Sequence, residues 1–114
     1  MNPYYAPEKL NLDMLAFDEP NMCYEYNTLC FWATDDGRVF TAADSGCSCP
    51  TPFEEHDRPT VDEVLATMER VGSVEQAVAT FDAWNNAIYG AKFGIDDRHR
   101  CEEWVSRVLK QDPC

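Results

Sequence analysis

Apolar residues in the first half of the chain alternate with polar ones, with the period of two that is typical of β-strands. Between Lys9 and Phe17, every second residue is apolar: Leu10, Leu12, Met14 and Ala16. This alternation predicts a strand with one buried face. Leu15 and Phe17 interrupt the pattern, so a short helix is the competing interpretation. The proline and Asx residues at 18–21 predict a turn after this segment.

The strongest strand pattern runs from Cys23 to Thr34. Its continuous apolar run, Leu29-Cys30-Phe31-Trp32, predicts a central strand that is covered on both faces. Asp35-Asp36-Gly37 has the composition of a hairpin turn, with Gly37 at positive φ. Residues 38–43 predict a returning strand, with Val39, Thr41 and Ala43 on one face and Phe40 and Ala42 on the other. The first half is therefore expected to form an antiparallel meander of about three strands.

The second half changes to the spacing of amphipathic helices. Thr60 to Glu63 form a capping box, and the apolar residues that follow at helical spacing are Val61, Val64, Leu65, Met68 and Val71, up to Gly72. Ser73 and Gln76 cap a second helix, with an apolar stripe of Val74, Ala77, Val78, Phe81, Trp84 and Ile88. A third helix starts near Asp96-Asp97, carries Cys101, Trp104, Val105, Val108 and Leu109 on one face, and stops before Pro113.

These elements predict a small α+β fold, in which the meander packs against about three C-terminal helices. Neither layer can bury its apolar side alone, so residues 1–114 are expected to form one domain. Within it, residues 1–45 are strand-rich, 46–59 form a loop and 60–112 are helical. The residues expected between sheet and helices are Leu29, Phe31, Trp32, Phe81, Trp84 and Trp104.

The charge of the chain narrows the classes of partner. Acidic residues outnumber basic ones 21 to 9, a formal net charge of −12, and hydrophobic residues make up 45%. Residues 1–59 carry 11 acidic and 3 basic side chains. Such a chain is repelled by nucleic acid and by anionic membrane surfaces, so we expect it to bind neither directly. Its natural partner is a protein with a basic surface.

The compartment expected from the sequence is the cytoplasm. No apolar run reaches the roughly 18 residues of a membrane span. The N-terminus has neither the basic start nor the apolar run of a signal peptide. The six cysteines are therefore expected to be free thiols rather than a disulfide framework.

The segment between the two halves, residues 44–53, concentrates unusual residue types. Gly46 allows a sharp turn after the strand, and Pro50 and Pro52 stiffen the chain. Phe53 supplies an apolar anchor. One interpretation is a rigid connector whose thiols only pack in the core. The other interpretations are a partner-binding edge, a metal site and a redox pair.

The metal and redox interpretations depend on Cys47 and Cys49. Together with His56, and with either His99 or Cys101, they supply nitrogen and sulfur ligands that suit zinc. A one-residue gap between the two thiols is shorter than structural zinc sites use. A Cys-x-Cys disulfide is tight and therefore reducible. The neighbouring carboxylates disfavour a thiolate, and nothing in the sequence brings a general base to these thiols.

The same segment carries a family resemblance. Tyr24 to Phe53, with Leu29, Trp32, Asp36-Gly37 and the loop motif Asp-Ser-Gly-Cys-Ser-Cys-Pro-x-Pro-Phe-Glu at 44–54, resembles a group of short acidic proteins from actinobacteria and their phages. The resemblance covers residues 9 to 55 and suggests such a source. That group has no assigned activity, so the resemblance implies no catalytic residue.

The function expected from these observations is non-enzymatic. We expect an acidic module, with no cofactor, that occupies a basic surface of a host protein. The residues expected to contact this partner are Asp44, Ser45, Cys47, Cys49, Phe53, Glu54 and Glu55. The alternative is a metal- or thiol-dependent protein that uses Cys47 and Cys49, with His56 as a further metal ligand.

Overall fold

The computed structural model describes residues 2–20, 25–47, 53–87 and 93–110. They contain the strands β1 (Asp13–Pro20), β2 (Glu25–Ala33), β3 (Val39–Cys47) and β4 (Glu69–Val71) and the helices α1 (Val61–Ala66), α2 (Val74–Ala87) and α3 (Ile95–Leu109). The strands form one antiparallel sheet in the order β1-β2-β3-β4. The predicted α+β fold with an antiparallel meander is confirmed, with four strands instead of about three.

The hairpin between β2 and β3 forms where the sequence predicts it. Gly37 has a φ of 89°, the left-handed conformation that glycine adopts without steric cost. The Thr34 N–H donates to the Arg38 carbonyl over 2.9 Å and closes the turn. From this turn the register runs back to Glu25 opposite Cys47.

The central strand β2 is buried on both faces, as its continuous apolar run predicts. Leu29, Phe31 and Ala33 lie in one hydrophobic core, and Cys30 and Trp32 lie in the other. Because successive side chains of a strand point to opposite faces, one strand contributes to two cores. The sheet is therefore the middle layer of the structure.

The helices α2 and α3 cover the first face, which we call the helical face. The helix residues that pack on the odd-numbered residues of β2 are Ala77 and Phe81 of α2 and Cys101, Trp104, Val105 and Val108 of α3. The Phe17 ring of β1 meets the Phe81 ring edge-on, with 5.0 Å between centroids. Both predicted apolar stripes thus face the sheet, with Trp84 only partly buried.

The opposite side of the sheet, which we call the short-element face, is covered by short segments. They are the N-terminal segment with its 3-10 turn Pro7–Leu10, a second 3-10 turn at Glu54–His56, and α1. Leu10, Phe53, Val64 and Leu65 pack there on Cys30, Trp32 and Phe40. Trp32 is buried between the sheet and a helix, as predicted, but that helix is α1 and not α2 or α3, because its even position in β2 directs Trp32 to this second core.

The first strand differs from its prediction at both ends. It begins at Asp13 rather than Lys9, since Pro7–Leu10 form a 3-10 turn that ends at Asn11 with a φ of 56°. The turn predicted at 18–21 is also wrong for residues 18–20, which continue the ladder as far as Pro20 opposite Tyr26. Pairing with a long central strand overrides the local turn preference of these residues. Asn21 lies outside the described residues.

The third strand is longer than predicted and shortens the connecting loop. It continues through Asp44, Ser45 and Gly46 to Cys47. Gly46 was expected to turn the chain, but it lies in the ladder opposite Tyr26. Ser48 to Pro52, which include Cys49 and both prolines, lie outside the described residues, so the stiffness predicted for that part stays a prediction.

The helix predicted from Thr60 to Val71 has only half that length. The N-cap is confirmed, since the Glu63 N–H donates to Thr60 Oγ1 over 3.2 Å. The helix ends at Ala66, and Glu69–Val71 pair with β3 as β4. Val71 in this strand reaches the helical face, whereas Met68, in the bend just before the strand, packs on the short-element face. Apolar residues that belong to two opposite faces of the sheet therefore have, in sequence, the spacing of a single helical stripe.

The two long helices begin where their capping residues predict. The Gln76 N–H donates to Ser73 Oγ over 3.1 Å, and Gln76 Oε1 accepts from the Gly72 N–H over 2.9 Å. In α3, Asp96 and Asp97 occupy the first turn and Arg107 the last. Both arrangements complement the helix dipole or its unpaired N–H groups. Ile88 and Pro113 lie outside the described residues.

Candidate functional site

The segment expected to contact a partner is tied to the sheet at Asp44. One carboxylate oxygen of Asp44 accepts from the Phe53 N–H over 2.7 Å, and the other accepts from the Ser45 N–H over 3.0 Å. A carboxylate that accepts from backbone N–H groups makes a strong, charge-assisted contact. Asp44 is half-buried and Ser45 is exposed. This contact fixes the point where the chain returns to the sheet after β3.

Phe53 is the anchor of that return. Phe53 is 1% exposed, and its backbone φ is 60°. Its ring stacks on Tyr4, with 5.3 Å between centroids, and meets Trp32 edge-on at 5.5 Å. The apolar anchor expected from the sequence is confirmed. The same burial means that the Phe53 side chain is not available to a partner.

His56 connects this anchor to α1. Its Nδ1 lies 2.7 Å from Thr67 Oγ1, and that hydroxyl donates to the Val64 carbonyl over 2.6 Å. Because the Thr67 proton is used on Val64, the geometry assigns the donor role to His56 Nδ1–H. The imidazole also packs against the Phe53 ring at 5.7 Å.

Burial sets the protonation state of His56. Desolvation lowers the pKa of the imidazole below its usual value, since burial disfavours the charged form. Asp44 and Glu55 act in the opposite direction, and Arg58 adds to the lowering. At neutral pH His56 is therefore uncharged, in the tautomer that carries its proton on Nδ1, and it serves as a structural link.

Around this anchored core lies a concentration of exposed carboxylates, which we call the acidic segment (residues 54–63). Its carboxylates, all exposed, are Glu54, Glu55, Asp57, Asp62 and Glu63, and its one basic residue is Arg58. Glu54 and Glu55 stand in the 3-10 turn, while Asp62 and Glu63 stand in the first turn of α1. By comparison, residues 95–110 carry four acidic and four basic side chains. The charge of the acidic segment is thus predominantly negative, whereas the acidic and basic residues at 95–110 are balanced in number.

Asp57, Asp62 and Glu63 were not among the residues predicted to contact a partner. The prediction rests on the cysteines and prolines of residues 44–53 and on the two glutamates that follow, whereas Asp62 and Glu63 are assigned to the capping box of a helix. A signal was nevertheless present. Five acidic residues between 54 and 63 surround one arginine and precede a helix cap at Thr60.

The structure separates the residues proposed as metal ligands. His56 packs on the short-element face, whereas Cys101 is buried in the core of the helical face, 4.0 Å from the Ala77 carbonyl. The prediction of a metal site that uses both His56 and Cys101 as ligands is therefore wrong. His99 is exposed on α3. Within residues 2–20, 25–47, 53–87 and 93–110, no three His, Cys, Asp or Glu residues are grouped closely enough to hold a metal ion.

The thiols that the structure describes are buried. Cys30 and Cys101 are both fully enclosed, and burial raises the pKa of each thiol, to about 12 for Cys101. Neither is therefore a thiolate at neutral pH. Cys47 ends β3 opposite Glu25, and Cys49 lies outside the described residues. The redox interpretation of that pair stays a prediction.

The helices of the described residues are also too short or too polar to cross a membrane.

Comparison with known proteins places the chain in a family. Residues 1–100 match the model of a domain of unknown function, DUF7574, and the chain belongs to that family. No curated protein and no solved structure matches the chain. The match extends through the sheet, the acidic segment, α1 and α2, and into α3, so the family model includes both faces of the sheet.

Proposed function

We propose that this member of the DUF7574 family acts by binding another protein, with no chemistry of its own. The acidic segment contacts a basic surface of that partner. The finer form of the proposal is a cytoplasmic, phage-encoded effector or inhibitor of a host protein. The resemblance of the loop at 44–54 to short acidic proteins of actinobacteria and their phages supports this form.

The observation that carries the proposal is the anchoring of one-sided charge. Five exposed carboxylates and one arginine occupy ten residues that are held by the buried Phe53, by Asp44 and by the His56–Thr67 contact. Charges on an ordered support retain their spacing, so less conformational entropy is lost when a partner binds. Unordered acidic tails lack this advantage.

The chemistry of the partner follows from the charge. With a formal net charge of −12, the protein repels nucleic acid and anionic membranes and attracts basic proteins. We propose that the surface it occupies is one that normally holds nucleic acid, because such surfaces present clustered Lys and Arg. Ser45 and Cys47 extend the contact along the end of β3.

Two variants of equal charge change test the proposal. The first neutralises the acidic segment: Glu54→Gln, Glu55→Gln, Asp62→Asn and Glu63→Gln. The matched control neutralises α3: Asp96→Asn, Asp97→Asn, Glu102→Gln and Glu103→Gln. Each set removes four carboxylates, two of them from the first turn of a helix. A difference between the two therefore reports the position of the charges and not their number.

The measurement starts with capture from an actinobacterial lysate and continues with the purified partner. Isothermal titration is expected to show a Kd that weakens at least tenfold between about 50 mM and about 500 mM salt. The acidic-segment variant is expected to weaken binding at least tenfold, and the α3 variant by less than threefold. Equal losses in both variants, or a complex unchanged at about 1 M salt, would contradict the proposal. Stoichiometric zinc in protein purified without chelator would contradict it as well.

A further inference from the structure

The first strand of the sheet has one side that no described strand pairs with. In the strand order β1-β2-β3-β4, β1 stands at the edge and extends over eight residues, Asp13–Pro20. The other edge strand, β4, has only three residues. An unpaired edge of eight residues is long enough to template a further strand.

The register shows which backbone groups of β1 point away from the sheet. The N–H of Thr34, the residue after β2, donates to the Arg38 carbonyl on the β3 side. Because every second residue of a strand bonds to the same neighbour, the even residues of β2 also direct their backbone groups to β3. The odd residues of β2 therefore face β1, where Phe31 pairs with Leu15. Because an antiparallel strand alternates its bonding side, the N–H and carbonyl groups of Met14, Ala16 and Asp18 point outward.

A cation of the chain itself already lies at this edge. Arg100 of α3 donates from its guanidinium to the Ala16 carbonyl over 3.4 Å, and it stands over the Phe17 ring at 4.7 Å from the centroid. The hydrogen bond is long and the arginine is exposed. The contact confirms that the Ala16 carbonyl points outward, and it shows that this position accepts a positively charged donor that an incoming chain can replace.

The side chains along the edge select the kind of strand. Exposed carboxylates, Asp13 and Asp18, stand near its ends, while Met14, Leu15 and Ala16 between them are only partly buried. A second copy of β1 would bring the same carboxylates into one interface, and like charges on paired strands are destabilising. An apolar strand with Lys or Arg near its ends fits instead.

We propose that the outer edge of β1 binds an extended, basic segment of another protein by adding it to the sheet as a fifth strand. Main-chain hydrogen bonds to the Met14 carbonyl and to the backbone groups of Ala16 and Asp18 hold the segment, since the Met14 N–H already donates to Asp13 Oδ1. The basic side chains of the segment pair with Asp13 and Asp18. This surface shares no residue with the acidic segment. The inference therefore stands or falls independently of the surface proposed above.

Selection from a random peptide library of about twelve residues, displayed on phage, tests the proposal against this protein. The enriched peptides are expected to combine β-branched or aromatic residues with Lys or Arg. Synthetic copies are then titrated against the Ala16→Pro variant. Proline removes the outward N–H without touching the β1–β2 ladder, since edge strands accept proline on the unpaired side. Binding is expected to fall at least tenfold, because a buried carbonyl of the peptide loses its donor.

The matched control is Ala16→Val, which keeps the N–H and is expected to bind within threefold of the parent. Asp13→Asn is expected to weaken basic peptides severalfold, whereas the acidic-segment variant should bind them as the parent does. No enriched peptide, or equal affinity for the proline and valine variants, would overturn the proposal.

Amide hydrogen exchange gives a second readout that needs no variant. In the free protein, the amides of Ala16 and Asp18 are expected to exchange faster than those of Leu15 and Phe17, which face β2. The Met14 N–H is left out of this comparison because it already donates to Asp13 Oδ1 over 3.0 Å. A bound peptide is expected to slow the Ala16 and Asp18 amides at least tenfold. Slow exchange at these amides in the free protein would show that the edge is already covered and would overturn the proposal.

Discussion

The two faces of the sheet bury aromatic side chains by different means. On the helical face, α2 and α3 span 14 and 15 residues and lie on the sheet as continuous surfaces. On the short-element face, 3-10 turns of four and three residues and a six-residue α1 are held by individual contacts. One such contact is the hydrogen bond from Trp32 Nε1 to the Pro3 carbonyl, 2.9 Å long.

The difference predicts that the two cores of this small domain open at different free energies. Long helices share many backbone hydrogen bonds and therefore open together, whereas short elements can detach one at a time. The acidic segment is on the second kind of face. We expect the short-element face to open locally, with the sheet and the helical face still folded.

The largest expected effect compares one aromatic residue from each face. Phe81 and Phe53 are both 1% exposed. Replacing Phe81 by alanine is expected to lower the free energy of unfolding by about 3–5 kcal/mol, as for other large core deletions. Phe53→Ala is expected to cost about half as much in global unfolding, because the short elements can detach first. Chemical denaturation measures both values.

Hydrogen exchange distinguishes detachment from simple weakening of the core. In Phe53→Ala, amides of α1 are expected to lose protection while those of α2 keep theirs. Equal global losses in the two variants, with uniform exchange, would show that the faces unfold as one unit.

A smaller effect is expected from the helix caps. Ser73 caps α2 and Thr60 caps α1 through the same side-chain contact to a backbone N–H. Ser73→Ala is expected to lower the free energy of unfolding by about 1 kcal/mol. Thr60→Ala removes an equivalent contact from a helix that opens on its own, so its effect should be concentrated in the exchange rates of α1. A matching loss of global stability in Thr60→Ala would weaken the contrast between the faces.

The smallest effect is expected from the pH dependence of His56. Burial lowers the pKa of this imidazole in the folded state, so the unfolded chain, with a pKa near 6.5, takes up the proton first as pH falls. The stability that neutral His56 contributes is present above that value and is lost as pH falls through the folded pKa. The difference in unfolding free energy between the parent and His56→Gln should therefore shrink as pH falls below about 6.5. His99→Gln, at an exposed position, is the control.

The parts of the fold that the sequence predicts are those where local pattern and tertiary packing agree. Phe31 and Trp32 lie within one unbroken apolar run, and the structure buries them on opposite sides of that strand. Ser73 and Asp96 mark helix starts whose apolar stripes do face the sheet. In these cases the residues that form the element are also the residues that pack.

The predictions failed where packing against a distant segment decides the structure. Met68 and Val71 fit a helical stripe in sequence, yet the chain leaves the helix at Ala66 and Glu69–Val71 pair with β3, so the two side chains lie on opposite faces. Nothing local to Trp32 indicates that the N-terminal segment folds over it. For the candidate site, Phe53 was correctly expected to be an anchor, but its complete burial depends on Tyr4 and Trp32, which lie far away in sequence.

The buried thiols divide between the two faces, and this gives the molecule a built-in pair of reporters. Cys30 lies in the core of the short-element face and Cys101 in the core of the helical face. Burial raises the pKa of both thiols, so each reacts with an alkylating reagent only when its own core opens. With the other four cysteines replaced by serine, mass spectrometry of the two peptides would time the opening of each core separately within one sample.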